Sequence, residues 1–320
     1  MRLFYGKCKE NIAISRERKC NMGQKDISEK TFISLNDVFA DIFNVLVFKG
    51  ADVIEEDSLT DAVVRSQYKA EDGKLHEEER DAAKLWKHHN FNLVLFGVEN
   101  QTKVDGDMPF RVIGYDGAGY RSQMLGDKKE RFPVVTIVLY FGKALWNKPL
   151  TLKGCFNPEI TDTWEYQVLD EYVNDYKCHV FDIPRLSMET VKQFQSDFRV
   201  VAEYFVNTYT NPAYEPEEKV IRHVDEFLKL MSVLTGDSQY ETMTTSKDFQ
   251  KVKKNGGITM CNVLEYHKVE GKAEGKAEER NSLIIQMYKE GLPSEQIARI
   301  TRLSVKEVEH IRDSATNEEC

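Results

Sequence analysis

The sequence predicts an α/β core, a central sheet flanked by helices, followed by an α-helical C-terminal half and a helix-turn-helix-like tail. Three observations predict it. Two apolar runs, Phe91–Gln101 (FNLVLFGVENQ) and Arg131–Gly142 (RFPVVTIVLYFG), have the length and β-favouring composition of strands. Beyond Leu186 the apolar residues recur with a helical period, punctuated by Pro184, Pro212 and Pro216. From Leu283 to Ile311 helical periods are broken at Gly291 and again at Leu303-Ser304, the pattern of a helix-turn-helix.

Residues 1–30 are expected to form a disordered arm. Met1 to Asn21 is rich in Lys and Arg, and Met22-Gly23 follows. Residues 1–21 therefore read either as an arm or as an upstream start that is not normally used. Leu35 to Phe48 places apolar residues at 35, 38, 39, 42, 43, 46 and 47, an amphipathic helix with Ser34 or Asn36 as its cap. Asp52 to Leu75 is acidic and aperiodic and reads as a loop with one helical turn. Glu77 to Lys87 reads as a helix by propensity, or equally as one arm of a hairpin turning at His88-His89-Asn90.

Along the strand from Phe91, residues 91 to 101 at odd positions share a face, so Glu99 and Gln101 point the same way. Met108 to Gln123 reads as a helix whose small residues allow close packing on the sheet, although Gly114, Gly117 and Gly119 oppose helix formation. Arg131 to Gly142 is apolar nearly throughout, as a strand covered on both faces should be. Leu150 to Pro184 gives mixed signals with a short strand near Lys177 to Phe181. Met188 to Val206 and Glu217 to Leu234 read as helices. The tandem EGKA unit in residues 265–281 is a charged helical linker. The expected divisions are a core at 31–185, a helical annex at 186–264, the linker at 265–281 and the tail at 282–320.

The 320-residue chain is 41% hydrophobic and 11% aromatic, enough for a real core. Its formal net charge of −9 argues against salt-driven coating of DNA and leaves room only for a local basic rim. The cysteines at 8, 20, 155, 178, 261 and 320 form no C-x-x-C pair, so reduced thiols in a cytoplasmic protein are expected. No apolar run approaches the roughly 20 residues of a spanning helix, and no membrane partner is expected.

A carboxylate and an amide two residues apart at the end of a buried strand suit phosphodiester chemistry. Mg²⁺ or Mn²⁺ takes carboxylate oxygens, polarises a phosphoryl oxygen and lowers the pKa of an attacking water. Glu99 is the candidate ligand and Gln101 the candidate water-orienting or transition-state group. Alone, a Glu-x-Gln pair is also what a solvated strand end looks like.

The blocks Leu35–Asn44 (LNDVFADIFN), Glu79-Arg80-Asp81, Gly97–Thr102 (GVENQT) and Met108–Asp116 (MPFRVIGYD), in this order, resemble the Rpn family of recombination-promoting nucleases and putative transposases, within the PD-(D/E)XK superfamily. The segment Gly291 to Ile311 is similar to the tail common in that family. The resemblance implies a restriction-endonuclease-like core with a mixed sheet, Mg²⁺-dependent DNA cleavage, and a role in DNA exchange or element mobility. It implies Asp81 and Glu99 as catalytic metal ligands and Asp37 as an outer ligand. Gln101 takes the catalytic position where the superfamily has Lys, and Lys103 or Lys84 is the nearby cation that would replace it. Arg111, with Lys103, is the candidate contact to substrate phosphate. Tyr115 and Tyr120 read as base-stacking groups or, equally, as packing on the sheet.

The expected partner is DNA, with a homo-oligomer left open. Two other classes fit the same residues. One is a nuclease-fold DNA-binding or regulatory protein that does not cleave, and the other is an interaction protein built on the annex and linker.

Overall fold

A computed structural model describes residues 30–318 except 64, 70–74, 90, 126–130, 209–210 and 212–213. The chain divides into two compact units, Met1–Met260 and Cys261–Cys320. The expected core and annex thus fold together in the first unit.

Helix α1 (Asn36–Leu46) buries Val38, Phe39, Ile42 and Phe43, the stripe read from the sequence. Its N-cap is Leu35, whose side chain caps nothing. Asn36 instead donates its amide to the carbonyls of Glu56 and Leu59, at 3.0 and 3.3 Å, tying the helix to the next segment. That segment holds a one-turn 3₁₀ helix, Glu56–Ser58, but it also holds strands β1 (Leu59–Asp61) and β2 (Arg65–Lys69). The loop expectation for 52–75 is corrected there. β1 is three residues long and lacks alternation, so pairing with a neighbour makes it a strand.

The hairpin alternative holds for the ambiguous stretch. After β3 (Leu75–Glu79), β4 (Ala82–His88) pairs antiparallel with β5 (Phe91–Gln101), turning through His89 at φ 54°. Helix α2 (Met108–Leu125) then leads into β6 (Val134–Tyr140), parallel to β5. Two short helices, α3 (Pro158–Thr161) and α4 (Trp164–Leu169), precede β7 (His179–Asp182), which runs parallel to β6. The five-stranded sheet is mixed, in the order β1-β4-β5-β6-β7, while β2 and β3 form a separate ribbon.

The two faces of β5 take different partners. Phe96 meets Phe43 of α1 with ring centroids 4.3 Å apart. Leu95 and Gly97, on the opposite face, lie under α2. A Cβ on Gly119 of α2 would stand 2.9 Å from Leu95 Cδ2 and 3.1 Å from Val134 Cγ2. The glycine that weakens the helix by propensity is therefore what brings it down onto the sheet.

In the helical half, the run 188–206 is two helices, α5 (Met188–Gln193) and α6 (Phe198–Thr208). Carboxylates hold the break open. Asp41 accepts the amides of Gln195 and Ser196 at 2.9 and 2.7 Å, and Asp197 accepts those of Arg222 and His223 at 2.9 and 2.7 Å. The next helix, expected from Glu217, starts later. β8 (Val220–Ile221) precedes α7 (Val224–Thr235), and α8 (Gln239–Met243) and α9 (Lys247–Gly256) follow. β9 (Ile258–Thr259) pairs with β8.

In the second unit, α10 (Met260–Lys289) contains the EGKA repeats, and α11 (Ser294–Thr301) and α12 (Val305–Glu318) follow. Gly291 and Arg302, at φ 84° and 58°, make the turns. Ile284, Ile297, Ala298 and Val308 form the core of this unit. A reciprocal capping box starts α12: the Ser304 amide donates to Glu307 Oε2 at 2.8 Å and the Glu307 amide to Ser304 Oγ at 3.3 Å. Among the described residues no helix is long and apolar enough to cross a membrane.

Candidate functional site

β5 delivers Glu99, Asn100 and Gln101 to the edge of the sheet beside the end of β6, where Gln101 pairs with Tyr140. Glu99 is 3% exposed on the face covered by α2. The β4–β5 register, Ala82 against Val98, puts Asp81 opposite Glu99 when extended by one residue. Residues so placed on an antiparallel pair have neighbouring side chains. Asp81 Oδ2 accepts the Asn100 amide at 2.6 Å, which fixes its carboxylate at the strand end.

Strand alternation puts Gln101 beside Glu99, and its Nε2 donates to Glu99 Oε1 at 3.1 Å. Arg111, in the first turn of α2, also donates to Glu99 Oε1. The same guanidinium donates to Asp105 at 3.2 Å and to the Tyr115 hydroxyl at 3.0 Å. Glu99 Oε2 is buried and has no hydrogen-bond partner.

Burial, and next the charge of Asp81, push the Glu99 carboxyl up to about 8. Arg111, Gln101 and Tyr115 act in the opposite direction. Burial disfavours the charge of Arg111, but Glu99, Tyr115 and Asp105 together outweigh it and hold the guanidinium above its ordinary value. A carboxyl whose ionisation is opposed by burial and by a neighbouring carboxylate, and which keeps an orphaned buried oxygen, is a donor that a divalent cation would relieve. Asp81 and Glu99 are the residues that fit one.

A second buried network lies against the same face. Arg80 donates to Tyr115 O at 2.7 Å and to Thr136 Oγ1 at 3.2 Å. Thr136 donates to Asp116 at 2.5 Å, and Tyr176 donates to the other Asp116 oxygen. Burial lowers the Arg80 pKa, and Asp116 chiefly opposes that effect. Gly97 makes the room: a Cβ there would stand 2.5 Å from Arg80 Nη1 and 2.9 Å from Thr136 Oγ1. Sequence reasoning missed Arg80, Asp105 and Asp116 as members of this neighbourhood. The available signals were the adjacency of Arg80 to Asp81, the place of Asp105 in the loop just before α2, and the spacing of Asp116 from Arg111 on α2.

Other candidates sit elsewhere. Asp37 pairs with His223 at 3.0 Å and Arg222 at 3.1 Å, two residues of the helical half. Lys84 faces Phe96 in the register and bonds Asp61 at 2.5 Å, on the side of the sheet away from Glu99. It cannot replace the missing lysine. Lys103 is exposed in the turn after β5. Tyr115 packs in the core, under both Arg80 and Arg111, with centroid distances of 5.7 and 6.0 Å, while Tyr120 stays exposed. Among the described residues no group of three or more His, Cys, Asp or Glu converges as a metal cluster.

A family model described as "Putative transposase, YhgA-like" matches residues 51–224, a little over half of the chain. The matched span contains Asp81, Glu99, Gln101 and Arg111. Comparison with curated proteins gives no match. Comparison with solved structures gives none either.

Proposed function

The chain belongs to the YhgA-like putative transposase family, and on that premise we propose that it is a metal-dependent DNA endonuclease serving recombination or element mobility. The observation that carries this reading is the pairing of Asp81 with Glu99, whose buried Oε2 has no partner. A mixed sheet in which a hairpin leads through a helix to a parallel strand supports a restriction-endonuclease-like core.

In this reading Asp81 and Glu99 hold Mg²⁺ or Mn²⁺. The bound ion supplies polarisation of the phosphoryl oxygen and an activated water. Gln101 fixes the Glu99 carboxylate through its Nε2 bond. Arg111, partly exposed and oriented by Tyr115 and Asp105, supplies the positive charge that Gln101 lacks and meets a phosphate oxygen of the DNA. Exposed Lys103 extends that contact along the backbone. Asp37, bonded to His223 and Arg222, serves the fold.

The test is plasmid cleavage with Mg²⁺ or Mn²⁺ by wild type, Asp81→Asn and Glu99→Gln. Wild type should nick and linearise the plasmid, and each variant should lose at least about 100-fold in rate, as removal of a key charge-stabilising group typically does. Variants that cut as fast as wild type would place the site elsewhere. The Arg111–Glu99 ion pair favours one second reading, a nuclease-fold protein that binds DNA without cutting, because it neutralises the carboxylate internally. DNA retention by an uncleaving wild type would select it.

A further inference from the structure

The chain between β6 and β7 carries an apolar surface that the carboxylate site does not use. On α4, Tyr166 turns inward to the ring of Phe156, with centroids 6.1 Å apart. Trp164, Val168 and Leu169 lie on the outer arc, and Tyr172 follows. Trp164 is 73% exposed and Tyr172 is 74% exposed, with Leu169 at 55%. The segment is well fastened. Asn157 caps α3 by accepting the Glu159 amide at 3.0 Å, and Thr163 caps α4 by accepting that of Tyr166 at 3.2 Å. Lys153 Nζ bonds both the carbonyl and the carboxylate of Asp170 at 2.8 Å. Trp and Tyr held out by a fastened backbone are the groups that anchor interfaces.

Charge selects the class of partner. Residues 156–176 contain Glu159, Asp162, Glu165, Asp170, Glu171 and Asp175 and no Lys or Arg. Among the described residues only Asp170 of these is ion-paired, with Lys153. Nucleic acid and anionic lipid carry the wrong sign for this rim. A two-fold contact between copies would set the same carboxylates against each other. The complement is an apolar segment rich in Lys and Arg. Residues 1–21 have that composition, with Arg2, Lys7, Lys9, Arg16, Arg18 and Lys19 against Glu10 and Glu17. They also carry Leu3-Phe4-Tyr5 and Ile12-Ala13-Ile14.

We propose that α4 and Tyr172 form a docking surface for residues 1–21 of this chain, contributed by the same molecule or by a second copy. Zero-length carbodiimide coupling of the full-length protein, read by peptide mass spectrometry, tests this directly. Lys7, Lys9 or Lys19 should couple to Glu159, Glu165 or Glu171. The yield should fall at least fivefold in 0.5 M NaCl and in the Trp164→Ala/Tyr172→Ala variant. Both side chains are exposed, so the variant should keep its circular dichroism and melting temperature. Mixing ¹⁴N and ¹⁵N chains assigns the coupling to one molecule or two. The proposal is overturned if those lysines couple only elsewhere, if the patch carboxylates couple instead to lysines of residues 247–254 or to none, or if the double variant couples as well as wild type.

Discussion

Arg111 reaches from the first turn of α2 to Glu99 Oε1 at the end of β5, leaving the other oxygen of the same buried carboxylate without a partner. Neutralising Arg111 should therefore do two separable things. Arg111→Gln strips the charge opposing burial of Glu99, with an expected loss of about 1–3 kcal/mol in metal-free buffer by chemical denaturation. Mg²⁺ should restore much of that loss in the variant if Asp81 and Glu99 bind it, since a ligand of the folded state stabilises by mass action. No Mg²⁺-dependent recovery would remove Glu99 as a ligand.

The Glu99 carboxyl, pushed up to about 8 from its ordinary 4.5, sets a pH dependence. Because the folded state holds the proton more tightly, the stabilisation is complete below about pH 4.5 and is lost as pH rises through 8. Glu99→Gln removes the titration. In EDTA the variant should match wild type near pH 4.5 and exceed it at pH 9, by on the order of a few kcal/mol. Melting curves across that range check the sign, and saturating Mg²⁺ should reverse the order at alkaline pH.

Gly97→Ala should be among the most damaging single-methyl changes in the sheet. Its Cβ would meet Arg80 Cδ at 2.8 Å and Nη1 at 2.5 Å, forcing a buried guanidinium away from Thr136 and Asp116. Disrupting a buried charged pair costs about 3–5 kcal/mol. Equilibrium urea denaturation measures it, and a loss under about 1 kcal/mol would mean that Arg80 relocates freely.

Asp37→Ala separates a structural carboxylate from the site. It removes the bonds to His223 and Arg222, with an expected cost of about 1 kcal/mol. Mn²⁺ affinity measured calorimetrically should stay within about twofold of wild type. A tenfold loss would return Asp37 to the ligand set.

Local rules were enough wherever one neighbour's identity did not matter. The α1 stripe, the β5 alternation that sets Gln101 beside Glu99, and the nearly all-apolar β6 follow from periodicity alone. The break at 194–197 did not, because Asp41 accepts its amides from a distant segment and Asp197 within it accepts those of Arg222 and His223. β1 became a strand only through its pairing with β4. Gly119 counts against a helix by propensity, yet its missing side chain is what α2 needs against Leu95 and Val134.

At the site the division is similar. Sequence by itself determined that Glu99 and Gln101 share a face, because side-chain direction in a strand depends only on the two-residue period. Only the tertiary structure decided that Asp81 bonds the backbone amide of Asn100 beside Glu99, that Arg111 rather than Lys84 or Lys103 reaches Glu99, and that Asp37 is bonded to His223 and Arg222. Those facts depend on register and on helix docking. Both are fixed by contacts between residues far apart in the chain, and no local pattern encodes them.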